Sequence, residues 1–210
     1  MSRHRTVAGR SRFAPDPVKG SRFVATVAHV ATEAEAMAVV DEVRAEWPDA
    51  THHCWAWRLR DGERARSSDA GEPGGSAGRP ILAQIEGHGL HDVVVVVSRW
   101  FGGTKLGVGG LVRAYGGTAG MALDRAEILE VADTVPVRVE HGYGDTGAVD
   151  AVVASERLER VDTEWGEGVA FTLHVPVDGL DRVVGALRDA TAGRARVTPL
   201  DGPQAPRSEA

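Results

Sequence analysis

The chain has 210 residues, 42% of them apolar, and a net charge of −6, which suits one large domain or two small ones with an ordinary core. Acids outnumber bases by 30 to 24, and six of the basic side chains fall within residues 1–22 against the single acid Asp16; a protein that coats nucleic acid along its whole surface is excluded, whereas a local cationic site is not. The lone cysteine, Cys54, excludes an internal disulfide and a cysteine-rich zinc site, and with no secretory-type apolar stretch in the first thirty residues and no bilayer-length one anywhere, a cytoplasmic protein is expected.

Residues 1–18 are polar, arginine-rich and punctuated by Pro15 and Pro17, which suits a disordered basic tail. "SRFVATVAHV" then alternates as a strand does, and "TEAEAMAVVDEVRAEWP" predicts a helix. Thr32 and Glu35 form a capping box, an apolar stripe runs through Met37, Val40, Val43 and Trp47, and Pro48 is the stop. "HCWAWRLR" alternates again, and residues 61–79 read as a loop rich in glycine, serine and charge. Pro80 fits the first turn of a short helix through Ile81, Leu82 and Ile85. "DVVVVVSRW" is the most β-branched run and predicts a buried central strand; a glycine-rich loop and a helix from about Gly110 to Arg125 follow it.

The second half changes character. Its order from Thr134 is strand (135–140), helix (146–156), strand (158–165), strand (168–175), helix (179–190) and strand (195–200), a βαββαβ arrangement of ferredoxin-like type. The expected organisation is therefore a tail over 1–18, a first α+β domain over 19–133, a second over 134–200, and a frayed tail over 201–210.

The stretch "RWFGGTKLGVGGLVRAYGG" at 99–117 carries three cations and no acid, the nearest acids being Asp92 and Asp124. Glycine lets a backbone approach a ligand closely, and consecutive unhindered N–H groups make an anion-binding nest. The loop is read as a phosphate-contacting site, with backbone amides of Gly102, Gly103, Gly109 and Gly110 and the charges of Arg99, Lys105 and Arg113. It is neither a Walker A loop nor a dinucleotide fingerprint. The competing reading is a strand-to-helix connection whose glycines only permit tight packing. Of the 24 basic residues only Lys19 and Lys105 are lysine, so the loop's ammonium stands out in an arginine-biased chain.

"SSDAGEPGGSAGRP" at 67–80 is the second candidate segment, with Arg66, Ser68, Asp69, Glu72 and Arg79 as possible ligand contacts; as a mobile loop it would carry only turn chemistry. On the strand before it, adjacent His53 and Cys54 point to opposite faces and cannot pair, whereas His52 and Cys54 share a face. A helix-free face lined by His52 and Cys54 is expected beside the two loops, with the helices on the other side of the sheet. A buried, inert Cys54 is the favoured reading of the thiol. The remaining histidines show no metal spacing, and neither a metal nor a cofactor is expected.

"HHC" at 52–54, "SDAGEPGGSAGRP" at 68–80 and "VVVVVSRWFGGTKLGVGGLVRAY" at 93–115, in this order, resemble the signature blocks of the YigZ/Impact family. The resemblance runs from about Lys19 to about Leu200. It implies a first domain of the ribosomal-protein-S-five domain-2-like type and a second similar to the fifth domain of elongation factor G. It also implies a role in translation, with RNA or the ribosome as partner. The chain departs from the family pattern at Ala70, where a second acid is usual, and at Trp100, where tyrosine is common. The expected function is a non-catalytic, translation-related factor that binds RNA or the ribosome. One alternative is an enzyme on a small phosphorylated substrate, with Asp69 or Glu72 as general base and the loop as phosphate cradle. Another is a protein-interaction module that regulates translational control.

Overall fold

The computed structural model describes residues 3–60 and 63–200. The chain divides into two compact units, one spanning His4–Val131 and the other holding Ala132 onward together with Arg3. No helix is long and apolar enough to cross a membrane among the described residues.

The first unit is built on a five-stranded antiparallel sheet. Its strands are β2 (Ser11–Phe13), β3 (Arg22–His29), β4 (His52–Arg58), β5 (Ala65–Ser68) and β6 (Val93–Trp100), in the order β2-β3-β6-β4-β5. β6 is central, paired with β3 through Val95↔Val27 and with β4 through Val95↔Ala56. Its five consecutive valines are all fully buried, which requires cover on both faces of the sheet. Helix α1 (Glu33–Glu46) supplies one cover: Ala36, Val40 and Val43 pack with Val94, Val96, Trp57 and Leu59. Helices α2 (Gly78–Gly87) and α3 (Val108–Leu123) supply the other, with Ile81, Ile85, Leu111 and Tyr115 against Phe23, Val95, Val97 and Cys54. The expectation of helices on one side only is thus corrected. An all-valine strand has no polar face to leave in water, so both faces need a helical layer.

Local signals explain the element ends. Thr32 Oγ1 accepts from the Glu35 N–H at 3.1 Å, and Glu35 Oε2 accepts from the Ala31 N–H at 2.7 Å, a reciprocal cap shifted one residue upstream. Trp47 closes α1 immediately before Pro48. Where α2 crosses α3, a β-carbon on Gly120 would lie 2.6 Å from Gln84 Oε1 and one on Gly116 would lie 3.5 Å from Pro80 Cβ, so these glycines set the spacing of the two helices. Gly117 differs, since a β-carbon there would meet nothing within 4 Å.

The N-terminal expectation is also corrected. Residues 3–18 are not a disordered tail: β1 (Arg3–Val7) pairs with β7 (Ile128–Ala132), and β2 pairs with β3 through Arg12↔Thr26. Arginine-rich composition masked an alternation in which His4 and Thr6 turn inward, at 6% and 1% exposure. Residues 61–79 are likewise not all loop, because β5 adds an edge strand there through Trp57↔Arg66. The expected tail at 201–210 lies outside the described residues.

The second unit has β8 (Thr134–His141), α4 (Thr146–Ser155), β9 (Arg160–Trp165), β10 (Val169–Pro176), α5 (Leu180–Ala190) and β11 (Arg196–Pro199). Its antiparallel sheet runs β11-β8-β10-β9. Val137, Val139, Phe171, Leu173 and Val197 form its core with Val149, Val153, Val183 and Leu187 of the two helices.

Candidate functional site

The two signature segments converge at the end of β6. Asp69 follows β5 and turns its carboxylate onto the start of α2, where Oδ2 accepts from Gly75 N–H at 2.7 Å and Oδ1 from Ala77 and Gly78 N–H at 2.8 and 2.9 Å. Burial works against the charge, but these three N–H groups, with Arg79 nearby, hold the Asp69 carboxyl below its ordinary range. The α2 N-terminus therefore carries an anion supplied by the chain itself.

Glu72 projects inward from the same segment. Its Oε1 accepts from Arg99 Nη1 at 2.6 Å and from the Tyr115 hydroxyl at 2.7 Å, with His52 Nε2 3.9 Å away. Arg99 is 5% exposed and its other terminal nitrogen donates to Ser21 Oγ at 3.1 Å. The expectation that Arg99 contacts phosphate meets a guanidinium already paired within the protein. β-sheet alternation explains this: Arg99 lies on the α2/α3 side of β6, where the reachable charge is Glu72.

Cys54 and His52 share a face as alternation requires, but it is not a helix-free face. Cys54 is fully buried under the 69–72 segment, its thiol donating to Asp69 O at 3.0 Å, and His52 Nδ1 is 2.9 Å from Ala70 O. Burial pushes the Cys54 thiol up to about 12, the opposite of what a nucleophile needs. His53 turns to the α1 side and meets Ser98 Oγ at 2.8 Å. Among the other candidates, Arg66 pairs with Glu33 of α1, and Ser68 Oγ accepts from Ala70 N–H at 3.2 Å.

The glycines of the loop divide by role. A β-carbon on Gly102 would fall 1.9 Å from the Gly20 carbonyl carbon, so this residue serves backbone packing, and its N–H donates to Ser21 Oγ at 3.3 Å. Gly103 and Gly107 have φ of 85° and 72°, the left-handed region that glycine adopts without strain. Gly107 caps α3, whose N-terminus has no side-chain cap and no acid in its first turn. The N–H groups of Val108, Gly109 and Gly110 are those that an α-helix leaves without an intrahelical acceptor. Arg113 folds back over that turn, its Nη1 3.6 Å from where a β-carbon on Gly109 would be. Lys105 and Arg113 are exposed.

Lys19 was not among the expected site residues. The Gly20–Gly102 contact brings its segment against the loop, so both lysines of the chain flank the same glycines. Their scarcity was the available signal. Ser21 and Tyr115 were also missed, because nothing local in the sequence couples them to Glu72. At the outer edge, the Arg22 guanidinium lies 3.9 Å over the Trp100 ring, whose Nε1 donates to Asp49 Oδ2 at 2.9 Å.

This arrangement coincides with a known family. Residues 19–123 match the Impact N-terminal domain. An IMPACT family member from Thermus thermophilus is 44% identical over 178 residues, covering 84% of this chain and 97% of that protein. The IMPACT family member YigZ of Escherichia coli is 32% identical over 189 residues, covering 89% and 93%. A crystal structure described as that of a hypothetical protein superposes with a TM-score of 0.77 at 30% identity, over 96% of this chain and 98% of that one. The chain belongs to the YigZ/Impact family.

Proposed function

We propose that the chain is a non-catalytic, translation-related factor that binds RNA or the ribosome through the phosphates of RNA. The carrying observation is the contrast between two neighbouring helix ends. The N-terminus of α2 is filled by the Asp69 carboxylate, whereas that of α3 is open, free of acids and overlaid by Arg113. An exposed helix N-terminus with accompanying cations favours an external anion. Gly103, Gly109, Gly110, Lys105 and Arg113 are the contacts, with Lys19 beside them; Arg99 and Gly102 hold the loop's shape. Such contacts read the backbone and not the bases. The ribosomal-protein-S-five domain-2-like and elongation-factor-G domain-V-like folds that the family resemblance implies would suit a ribosomal setting.

The enzyme reading loses its proposed bases. Asp69 is saturated by three backbone donors with its affinity for protons lowered, and Glu72 is buried against a fixed guanidinium. Asp69 is thus not poised to take a proton near neutrality, and the Glu72 carboxylate is already occupied by Arg99 and Tyr115.

The test is equilibrium binding of a single-stranded RNA to the full chain across a salt series. Affinity should fall steeply with salt, and Lys105→Ala or Arg113→Ala should weaken binding and reduce the salt slope by about one each. Arg66→Ala should change neither. Salt-independent affinity, or equal affinity of the parent and Lys105→Ala, rejects the reading.

A further inference from the structure

Beyond the open end of α3 lies a cleft of about 540 Å³, within the roughly 300–1,000 Å³ of small-molecule sites. One wall is the segment after β2, through Phe13, Pro15 and Val18; the other is the outer face of α3, through Gly117 and Met121. Phe13 is held by the Arg125 guanidinium, 4.2 Å over its ring, so this wall is braced from behind. Three polar side chains also line the cleft: Arg113, Asp16 and Thr118. Arg113 and Asp16 make no ion pair among the described residues, with each other or with anything else. Thr118 is only 2% exposed, yet its hydroxyl has no hydrogen-bond partner among the described residues. A helical threonine ordinarily satisfies its hydroxyl on the carbonyl one turn back. Its freedom here leaves a hydroxyl that lines the cleft and can donate to or accept from a ligand there.

We propose that this cleft binds one nucleotide unit, its phosphate held by Arg113 and the first turn of α3 and its base lodged between the two apolar walls. The assignment rests on the phosphate-binding reading above and specifies what lies next to the phosphate. Arg113 joins the two parts, because it lines the cleft while its guanidinium reaches back over Gly109. Besides that cation, the cleft offers a ligand apolar surface, a carboxylate that accepts from hydroxyl or amine groups, and a hydroxyl that can donate or accept. A phosphate ester with a ribose and a flat base offers a partner to each of these features. An inorganic phosphate would leave Thr118, Asp16 and both walls unused. The nucleotide unit has two sources, a free mononucleotide or one residue of an RNA strand.

The probes are adenosine 5′-monophosphate against ribose 5-phosphate, and a 12-nucleotide single-stranded RNA against an abasic backbone of the same length, each titrated into the full chain. The base-bearing member of at least one pair should bind about tenfold or more tightly. Preference within the first pair identifies a free nucleotide; preference within the second pair alone identifies a strand. Gly117→Leu, at a position where a β-carbon would meet nothing within 4 Å, places a side chain toward the open cleft and should abolish the preference while leaving the melting temperature at or above that of the parent. Thr118→Val should reduce it about fivefold, the value of one hydrogen bond. If neither pair shows a preference, or if Gly117→Leu leaves it intact, the inference is overturned. RNA binding that still depends on Lys105 and salt would then leave the phosphate reading standing alone; loss of RNA binding altogether with retained adenosine monophosphate preference would remove that reading and keep the cleft.

Discussion

Glu72 and Arg99 meet at 2.6 Å with side chains only 4% and 5% exposed, joining the segment before α2 to the strand that leads into the glycine loop. A buried charge without its partner is far more costly than a buried pair is beneficial. Glu72→Ala should therefore lower the unfolding free energy by about 3–5 kcal/mol, because it strands the Arg99 guanidinium and the Tyr115 hydroxyl together. The double variant Glu72→Leu with Arg99→Met should recover much of that loss, read from urea midpoints. If the single and double variants are equally destabilised, packing around Glu72 outweighs its charge.

The glycines of the loop should separate by substitution. Gly102→Ala drives a methyl into the Gly20 backbone and should cost stability markedly, since two main-chain segments must move apart. Gly109→Ala sits in regular helix with its nearest neighbour 3.6 Å away at the movable end of Arg113. It should raise stability by about 0.5–1 kcal/mol through the lost backbone freedom of the unfolded chain. Gly109→Val should keep the melting temperature within a few degrees and still weaken RNA binding, because its branches displace Arg113 from the helix end. A Gly109→Val protein that melts far below the parent and binds normally would make this glycine a packing device.

Much of this was legible in the sequence, and the failures have a common cause. Periodicity and capping placed α1, the buried β6 and the complete βαββαβ order of the second unit, because each is a local pattern of several residues. The sheet's second helical layer was implied by five consecutive valines, yet only the structure shows that α2 and α3 provide it. Arg99 and Gly102 were assigned to a ligand because charge and glycine suggest anions. Their true partners, Glu72 and Gly20, lie 27 and 82 residues away, and no local pattern announces such pairings. The acid-free start of α3 was legible because it depends only on neighbouring residues.

Asp69 ties acid stability to the start of α2. Its folded-state carboxyl is depressed below the ordinary 3.8 by three N–H donors, so the stabilisation is present above that ordinary value and is lost as pH falls through the folded one. Asp69→Ala should cost about 1–2 kcal/mol near neutrality, like the loss of a helix cap, and should flatten the stability decline below pH 4. Acid titrations of the parent and variant, followed by circular dichroism, measure the difference. Parallel declines would show that Asp69 keeps its bonds when protonated.

Cys54 and Tyr115 make the opposite prediction at high pH. The Cys54 thiol is fully buried and pushed up from 9.0 to about 12, and burial drives the Tyr115 hydroxyl, hydrogen-bonded to Glu72, upward as well. In each case the unfolded chain ionises first and binds fewer protons, so stability declines as pH rises above the unfolded values. For Cys54 that window runs from 9 to about 12. Cys54→Ala should remove the thiol's share and leave that of Tyr115, so its stability should fall less steeply than the parent's across this window. Thiol reagents supply an independent reading. At pH 8 the native protein should resist a disulfide reagent for hours, reacting only at the rate of its opening, and a sub-denaturing dose of urea should accelerate the reaction in proportion to the unfolded fraction. Immediate stoichiometric labelling in the absence of urea would mean that the 69–72 segment lifts off the sheet far more readily than its hydrogen bonds to Cys54 and His52 imply.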